Sequence, residues 1–207
     1  MKRAFVLGIA GGTGSGKSVL ARRIARALGR RSVVLPLDWY YRDRSAARGA
    51  ARWSLNFDHP RSIEGGLVAR HILALARGET VRAPQYDYRR HRRLVRTRTV
   101  APAAVVIVEG LFVFADPVIR RRINLGIYLS EPADLRLARR LHRDVGERGI
   151  SVEETLRLYF HCVRPMHDRC VERSRRHADE VWEGGGRAAV VRRLLARLRR
   201  EARKRTP

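Results

Sequence analysis

The sequence predicts an α/β protein with a doubly wound, mainly parallel sheet and helices on both faces of that sheet. A short apolar run at residues 4–10 passes into a glycine-rich loop and then into apolar residues at helical spacing over 18–28. Further apolar runs alternate with helical patterns along the chain, which is the order that parallel strands and crossover helices produce. With 207 residues and a hydrophobic fraction of 44%, the chain fits one domain with a sizeable core.

The remaining elements are predicted from the same two patterns. Continuous apolar runs predict buried strands at residues 32–37, 105–108, 124–129 and 178–182. Helical spacing predicts helices at residues 63–77, 132–148, 151–174 and 187–203, the third with a bend at Pro165. Short strands at 80–82 and 96–100 are expected to pair in a small antiparallel flap over residues 79–101. The basic helix within residues 132–150 is expected to form a lid.

A glycine-rich motif between the first predicted strand and helix has the spacing G-x-x-x-x-G-K-[ST]. Its residues are Gly11, Gly12, Thr13, Gly14, Ser15, Gly16, Lys17 and Ser18. Glycines let the backbone turn around phosphate oxygens so that N–H groups point inward, and the next helix adds its positive end. Lys17 is expected to reach the β- and γ-phosphates, and Ser18 to bind Mg²⁺. The motif predicts a P-loop NTPase fold that binds ATP or GTP, and it leaves ATPase, GTPase and small-molecule kinase open.

Two carboxylates follow predicted strands at the edge of the sheet where the phosphate loop lies. Asp38 follows the second strand, where a group that activates an acceptor hydroxyl belongs. An exposed turn aspartate is the alternative. Glu109 ends a Walker-B-like strand and is a candidate to hold Mg²⁺ through water or to position the acceptor. A carboxylate that caps the next turn is the alternative there.

The predicted lid helix carries many positive charges. Its arginines include Arg136, Arg139, Arg140, Arg143 and Arg148. These side chains are candidates to close over the nucleotide and to offset charge in the transition state. For each of them, a solvated helix face is the alternative.

The net charge of +25 comes almost entirely from arginine, since only three lysines occur. Attraction to nucleotide phosphates or to nucleic acid is one interpretation of this charge. The other is an arginine-rich composition on solvated helix faces, which the diffuse spread of the arginines favours. We therefore do not expect nucleic acid as a partner.

The two cysteines, Cys162 and Cys170, are too few for a disulfide scaffold and indicate a reducing, cytoplasmic location. No apolar stretch approaches the roughly 20 residues that span a bilayer, so no membrane partner is expected. The cysteines and nearby histidines match no recognised zinc spacing, and we interpret them as packing residues. A homo-oligomer, either a dimer or a tetramer, is left open.

Several motifs resemble the uridine kinase (uridine–cytidine kinase) family. They are GIAGGTGSGKS at 8–18, DWYY at 38–41, NFDHP at 56–60, PQYDY at 84–88 with His91 and Arg93, EGL at 109–111, RRLHRD at 139–144, ERG at 147–149 and RPMH at 164–167. The blocks beyond the phosphate loop are distinctive and extend over most of the chain. The resemblance implies MgATP-dependent phosphorylation of the 5′-hydroxyl of a pyrimidine nucleoside, uridine or cytidine, to UMP or CMP.

The resemblance also implies roles for individual residues. Asp38 would accept the proton of the 5′-hydroxyl or orient that group, and Lys17 would act on the phosphates. The further implied contacts are Asp58 and Arg140 with the ribose hydroxyls, Tyr86, His91 and Tyr41 with the pyrimidine, and Arg143 and Arg148 with the ATP phosphates. A carboxylate can accept from a vicinal diol, and Tyr and His supply stacking and hydrogen bonds.

Three positions depart from the family's pattern. Ile150 stands where the family usually carries an arginine that reads the base, and Leu158 stands where it presents a glutamine. Glu183 replaces an arginine before a glycine pair. Losing hydrogen-bonding groups can shift discrimination by orders of magnitude, so a different small alcohol or sugar-type acceptor is an alternative. A nucleic-acid-stimulated NTPase is the alternative from another class.

Overall fold

A computed structural model of the chain describes residues 3–43, 56–88, 90, 92–186 and 188–205. The strands in these ranges are β1 (Phe5–Gly11), β2 (Ser32–Pro36), β3 (Val81–Ala83), β4 (Tyr86–Asp87), β5 (Arg92–Arg93), β6 (Arg98–Val100), β7 (Val105–Glu109), β8 (Leu125–Ser130) and β9 (Glu180–Glu183). The main helices are α1 (Lys17–Leu28), α2 (Gly65–Ala76), α3 (Pro117–Arg120), α4 (Ala133–Gly146), α5 (Val152–Leu158) and α6 (Ala188–Arg203).

Five of the described strands form one sheet in the order β2-β7-β1-β8-β9, and every pairing in it is parallel. From β1 the chain passes to β2 at one edge, β7 then lies between β2 and β1, and β8 and β9 follow on the other side of β1. In open sheets of this kind, ligands bind outside the carboxyl ends of the strands at the point where the order reverses. The glycine-rich loop directly follows β1, so it lies at that point. The predicted fold class is confirmed.

The core explains why the first apolar run does not alternate with polar residues. Phe5, Leu7 and Ile9 pack with α1 and α6 on one face of the sheet, whereas Val6 and Ala10 pack with α2 on the other. Because both faces are covered, every residue of β1 is buried. The helices in the described part of the chain include none that is long and apolar enough to cross a membrane.

The helical region after α4 contains two π-helical turns. Helix α5 continues through a π turn (Tyr159–Val163), an α turn (Arg164–Met166), a second π turn (His167–Val171) and a final α turn (Glu172–Ser174). Pro165, the predicted bend site, lies between the two π turns. Proline has no N–H to donate, and the altered hydrogen-bond register accommodates that loss while the chain stays helical.

Two short antiparallel ladders lie beside the sheet, one between β3 and β6 and the other between β4 and β5. Arg93 fastens this flap to the domain. Its Nε donates to the Tyr41 carbonyl oxygen at 2.8 Å, and its Nη2 donates to the Tyr40 carbonyl oxygen at 3.2 Å. The remaining guanidinium nitrogen, Nη1, pairs with Glu64 at 3.1 Å. The flap is therefore held against the segment that follows β2.

Candidate active site

The loop between β1 and α1 has the backbone conformation that its glycines predict. Gly14 and Gly16 have φ angles of 74° and 89°, in the left-handed region that glycine adopts without a Cβ clash. A Cβ at Gly14 would lie 2.4 Å from the carbonyl oxygen of Arg136 in α4. The loop therefore depends on glycine both for its turn and for its close packing against α4.

Lys17 is the first residue of α1, and its side chain is buried. The Nζ atom donates to the Gly12 carbonyl oxygen at 2.8 Å. Burial lowers the pKa of Lys17, while the carboxylates of Glu109 and Asp38 act in the opposite direction. A cation held within the loop is placed to meet phosphate oxygens.

The two predicted metal-binding residues contact each other directly. Ser18 Oγ donates to Glu109 Oε1 at 2.9 Å. Burial raises the pKa of Glu109 and the Asp38 charge adds to this effect, whereas Lys17 and the Ser18 hydrogen bond oppose it. Within the described ranges, no group of three or more His, Cys, Asp or Glu could hold a metal unaided. A hydroxyl and one carboxylate nevertheless fit Mg²⁺ bound together with nucleotide phosphates, which is its usual mode.

Asp38 reaches the same end of the sheet from β2. The parallel register pairs Pro36 of β2 with Glu109 of β7. Asp38 lies two residues further on, in the 3-10 turn Leu37–Tyr40. Because the Asp38 charge acts on the pKa values of both Lys17 and Glu109, the three ionisable groups share one electrostatic environment.

A cavity of about 840 Å³ joins the phosphate loop to a set of aromatic side chains. The loop residues in its wall are Thr13, Gly14, Gly16, Lys17 and Ser18. The other predicted site residues in its wall are Asp38, Tyr41, Asp58, Tyr86, Glu109, Arg140, Arg143 and Arg148. Gly11, Gly12 and Ser15 belong to the loop but not to the wall, and Ser15 is fully buried. His91 lies outside the described residues.

Tyr41, Phe57, Tyr86 and Tyr88 form one cluster of rings in the cavity wall, which we call the aromatic cluster. The ring centroids of Tyr41 and Tyr86 lie 5.4 Å apart, as do those of Tyr86 and Tyr88. The Tyr88 hydroxyl donates to the Asp38 carbonyl oxygen at 3.1 Å. The cluster therefore adjoins Asp38 and offers ring faces to a flat or apolar group.

Asp58 lies beside the aromatic cluster. Burial raises the pKa of Asp58, and the Arg140 guanidinium acts in the opposite direction. The Asp58 charge in turn contributes to the raised pKa values of Tyr41 and Cys162, for which burial is the main cause. A carboxylate that accepts hydrogen bonds and an arginine that donates them together suit a diol.

Asp144 gathers three cavity arginines around one buried carboxylate. Its side chain is only 1% exposed. Oδ2 lies 3.0 Å from Arg140 Nε, and Oδ1 lies 3.0 Å from Arg143 Nη2 and 3.2 Å from Arg148 Nη1. Sequence reasoning missed this role, although the four-residue spacing from Arg140 on a predicted helix was a usable signal. The carboxylate offsets the mutual repulsion of three guanidinium groups.

Two further arginines of α4 contact the loop, and one of them, Arg139, also lines the cavity. A Cβ at Gly12 would lie 2.5 Å from Arg136 Nη1, and the Arg136 side chain is buried. Arg139 Nη1 donates to the Gly14 carbonyl oxygen at 3.2 Å. The start of the lid helix is therefore attached to the phosphate loop.

The two positions that depart from the expected pattern both lie in the cavity wall. Ile150 follows the end of α4, and Leu158 ends α5. Both residues are half-buried. The apolar replacements are therefore positioned to affect what the cavity can bind.

Comparison with known proteins decides the family. The profile of the Phosphoribulokinase / Uridine kinase family matches residues 6–191. The chain belongs to this family.

Within the phosphoribulokinase/uridine kinase family, the chain resembles proteins named uridine kinase. It is 40% identical to one from Chloroflexus aurantiacus over 188 residues, which is 90% of each chain. It is 42% identical to one from Deinococcus deserti over 185 residues, 89% of each. Phosphoribulokinase from Rhodobacter spheroides shares the fold, with a TM-score of 0.67, 18% identity, and coverage of 88% of this chain and 71% of that one. The protein is therefore a kinase with a nucleotide-binding P-loop.

Proposed function

We propose that the protein transfers the γ-phosphoryl group of ATP to the 5′-hydroxyl of a pyrimidine nucleoside, uridine or cytidine. The observation that carries this proposal is the single cavity shared by the phosphate loop, Asp38, Asp58 and the aromatic cluster. A nucleoside has a hydroxyl to phosphorylate, a diol and a flat base, and these three parts correspond to the three groups of side chains. The name of the relatives at 40% identity supports the same acceptor.

At the phosphate end, Lys17 and the loop N–H groups bind the β- and γ-phosphates. Ser18 and Glu109 would hold Mg²⁺, which when bound neutralises part of the phosphate charge. Arg143 and Arg148 face the transferring group from the other side of the cavity. Positioning and electrostatic stabilisation supply most of the catalysis in such transfers.

At the acceptor end, Asp38 takes the proton of the 5′-hydroxyl. The hydroxyl oxygen forms a bond to the γ-phosphorus as the bond from that phosphorus to the β–γ bridging oxygen breaks. The products are the nucleoside 5′-monophosphate and ADP. Asp58 and Arg140 hold the ribose hydroxyls, and the aromatic cluster packs against the base, with His91 expected to take part from the flap.

A kinase for a different small alcohol is the second candidate. The apolar side chains of Ile150 and Leu158 in the cavity wall favour it, because they remove hydrogen-bonding groups from the acceptor end. Phosphoribulokinase shares the fold, so the fold alone does not select the acceptor.

The test is ADP release by the full chain with MgATP across a panel of uridine, cytidine, purine nucleosides, sugar alcohols, sugar phosphates and RNA. We expect release with uridine or cytidine, accompanied by the 5′-monophosphate, and its loss in Lys17→Ala. Turnover with another alcohol but with neither pyrimidine nucleoside would contradict the proposed acceptor. ADP release that RNA stimulates and that nucleosides do not change would contradict the proposal of a small-molecule kinase.

A further inference from the structure

The chain after α4 contributes three apolar side chains to the cavity wall, beside Glu147, Arg148 and Gly149. Cys162 lies on the Asp58 side, since the Asp58 charge contributes to its raised pKa. Leu158 precedes Cys162 by four residues in this helical region, and both side chains line the cavity. Ile150 follows Arg148, whose guanidinium lies 5.2 Å from the centre of the Tyr88 ring. We call Ile150, Leu158 and Cys162 the apolar wall.

The aromatic cluster contributes ring faces more than hydroxyl groups to this part of the cavity. The Tyr86 hydroxyl is buried from solvent although the residue lines the cavity. The Tyr88 hydroxyl already donates to the Asp38 carbonyl oxygen at 3.1 Å. Phe57 has no polar side-chain atom. Aromatic faces bind flat groups by stacking and apolar contact, with little dependence on the groups at the ligand's edge.

Two arginines near the apolar wall form ion pairs with Asp144. Arg140 and Arg148 both pair with the buried Asp144 carboxylate, at 3.0 Å and 3.2 Å. Arg140 also lies close enough to Asp58 to act on its pKa. Both arginines are therefore engaged with Asp144, and Arg140 also lies near the expected diol position.

This combination has a known consequence for specificity. A pocket that hydrogen-bonds a ligand's polar edge rejects an analogue without that edge by about 10⁴-fold or more, because its own polar groups are left unpaired. A hydrophobic pocket discriminates between ligands of similar size by only about 10–200-fold.

We propose that, within the proposed nucleoside kinase function on which this inference rests, the acceptor site binds the base by its faces and accepts ribonucleosides whose base edge is blocked by alkylation. The chemical class is N3-alkylated pyrimidine ribonucleosides, for which 3-methyluridine is the probe. The reaction is the same phosphoryl transfer to the 5′-hydroxyl, and the methyl group packs against the apolar wall.

The experiment compares kcat/KM of the full chain for uridine and 3-methyluridine, followed by formation of the 5′-monophosphates. We expect the two values to agree within about tenfold. A preference for uridine above about 100-fold would overturn this inference and leave the nucleoside kinase function standing. Absence of turnover with both, together with turnover of another alcohol, would overturn the inference and the proposed function alike.

Two variants test whether the apolar wall sets the preference between uridine and 3-methyluridine. Leu158→Gln places an amide against the methylated edge, where it is buried without a partner, and should raise the uridine preference by at least about tenfold. Val152→Gln, in the same helix but 54% exposed, is the matched control and should leave the preference unchanged. Equal preferences in wild type and both variants would show that the base does not lie against the apolar wall, and would overturn the inference.

Discussion

Three ionisable side chains, Lys17, Asp38 and Glu109, act on one another at the carboxyl ends of the parallel strands. Burial lowers the pKa of Lys17, which Asp38 opposes, and raises the pKa of Glu109, to which Asp38 adds. Burial therefore disfavours two charges that ligands would stabilise, since phosphate oxygens favour the lysine cation and a divalent ion favours the carboxylate. Bound nucleotide and Mg²⁺ would therefore offset the cost of burying these charges.

The raised pKa of Glu109 predicts a pH-dependent affinity for Mg²⁺. Protonated Glu109 cannot bind the ion, and its pKa lies above the ordinary 4.5, so protonation begins at a higher pH than for an exposed glutamate. The apparent KM for Mg²⁺ should therefore rise as the pH is lowered. Glu109→Gln should weaken the affinity for Mg²⁺ at least about tenfold. The pH dependence of the KM for Mg²⁺ that remains in this variant reports the titration of ATP itself. Identical pH profiles in wild type and variant would contradict the assignment.

Gly14 and Gly29 form a matched pair for testing the phosphate loop. Both have positive φ, but a Cβ at Gly14 would lie 2.4 Å from a backbone oxygen, whereas nothing lies within 4 Å of one at Gly29. Gly29→Ala should cost only the backbone strain of about 1–3 kcal/mol of unfolding free energy and leave ATP affinity intact. Gly14→Ala should also weaken ATP binding at least about tenfold, measured by calorimetry. Equal ATP affinities would show that the close packing of α4 does not shape the loop.

Helix α4 connects the two ends of the cavity. Its first turns contact the phosphate loop through Arg136 and Arg139, and its last turns place Arg140 and Arg143 around Asp144. The lid helix is thus part of the site's framework.

Removing the Asp144 charge should loosen this framework. Asp144→Asn leaves three partly or fully buried guanidinium groups without their shared carboxylate, and breaking such a buried pair costs about 3–5 kcal/mol of unfolding free energy. We expect kcat to fall at least about tenfold as well. Asp134→Asn, exposed in the first turn of the same helix, should cost no more than about 1 kcal/mol and keep kcat. Thermal unfolding and initial rates measure both, and similar results for the two variants would contradict the role of Asp144.

Elements that depend on neighbouring residues could be predicted from the sequence, whereas those that depend on contacts between distant segments could not. β1 and α1 followed from a continuous apolar run, a glycine loop and helical spacing, all of which are local signals. The Asp144 cluster was not predicted, because it depends on how the chain after α4 returns Arg148 to the helix. The π turns around Pro165 were missed for a similar reason, since sequence shows the missing N–H but not the hydrogen-bond register that replaces it.

At the scale of the whole molecule, fold class and the position of the site could be read from the alternation of strands and helices. The acceptor could not, because it depends on contacts between segments distant in sequence, such as Tyr41, Tyr86 and Leu158 in one cavity wall. We assign the net charge of +25 to no single surface. Several arginines of α6 are exposed to solvent.

A charge of this size predicts a salt-dependent affinity for ATP. Screening shortens the Debye length from about 10 Å at 0.1 M salt to about 3 Å at 1 M, so attraction of the anionic nucleotide should weaken. The apparent KM for ATP should therefore rise over this range while kcat changes less, because Lys17 and Glu109 are buried. Added RNA should not stimulate ADP release. Stimulation by RNA without any nucleoside would instead indicate that the charge serves nucleic-acid binding.

The most direct test of the account is Asp38→Asn, assayed for turnover and for ATP binding in parallel. In the proposed mechanism this carboxylate faces the bound nucleotide and takes the acceptor proton. We expect kcat to fall at least about 100-fold while the Kd for ATP stays within a few-fold of wild type. Wild-type turnover in the variant would contradict the role of Asp38 as the acceptor of the hydroxyl proton.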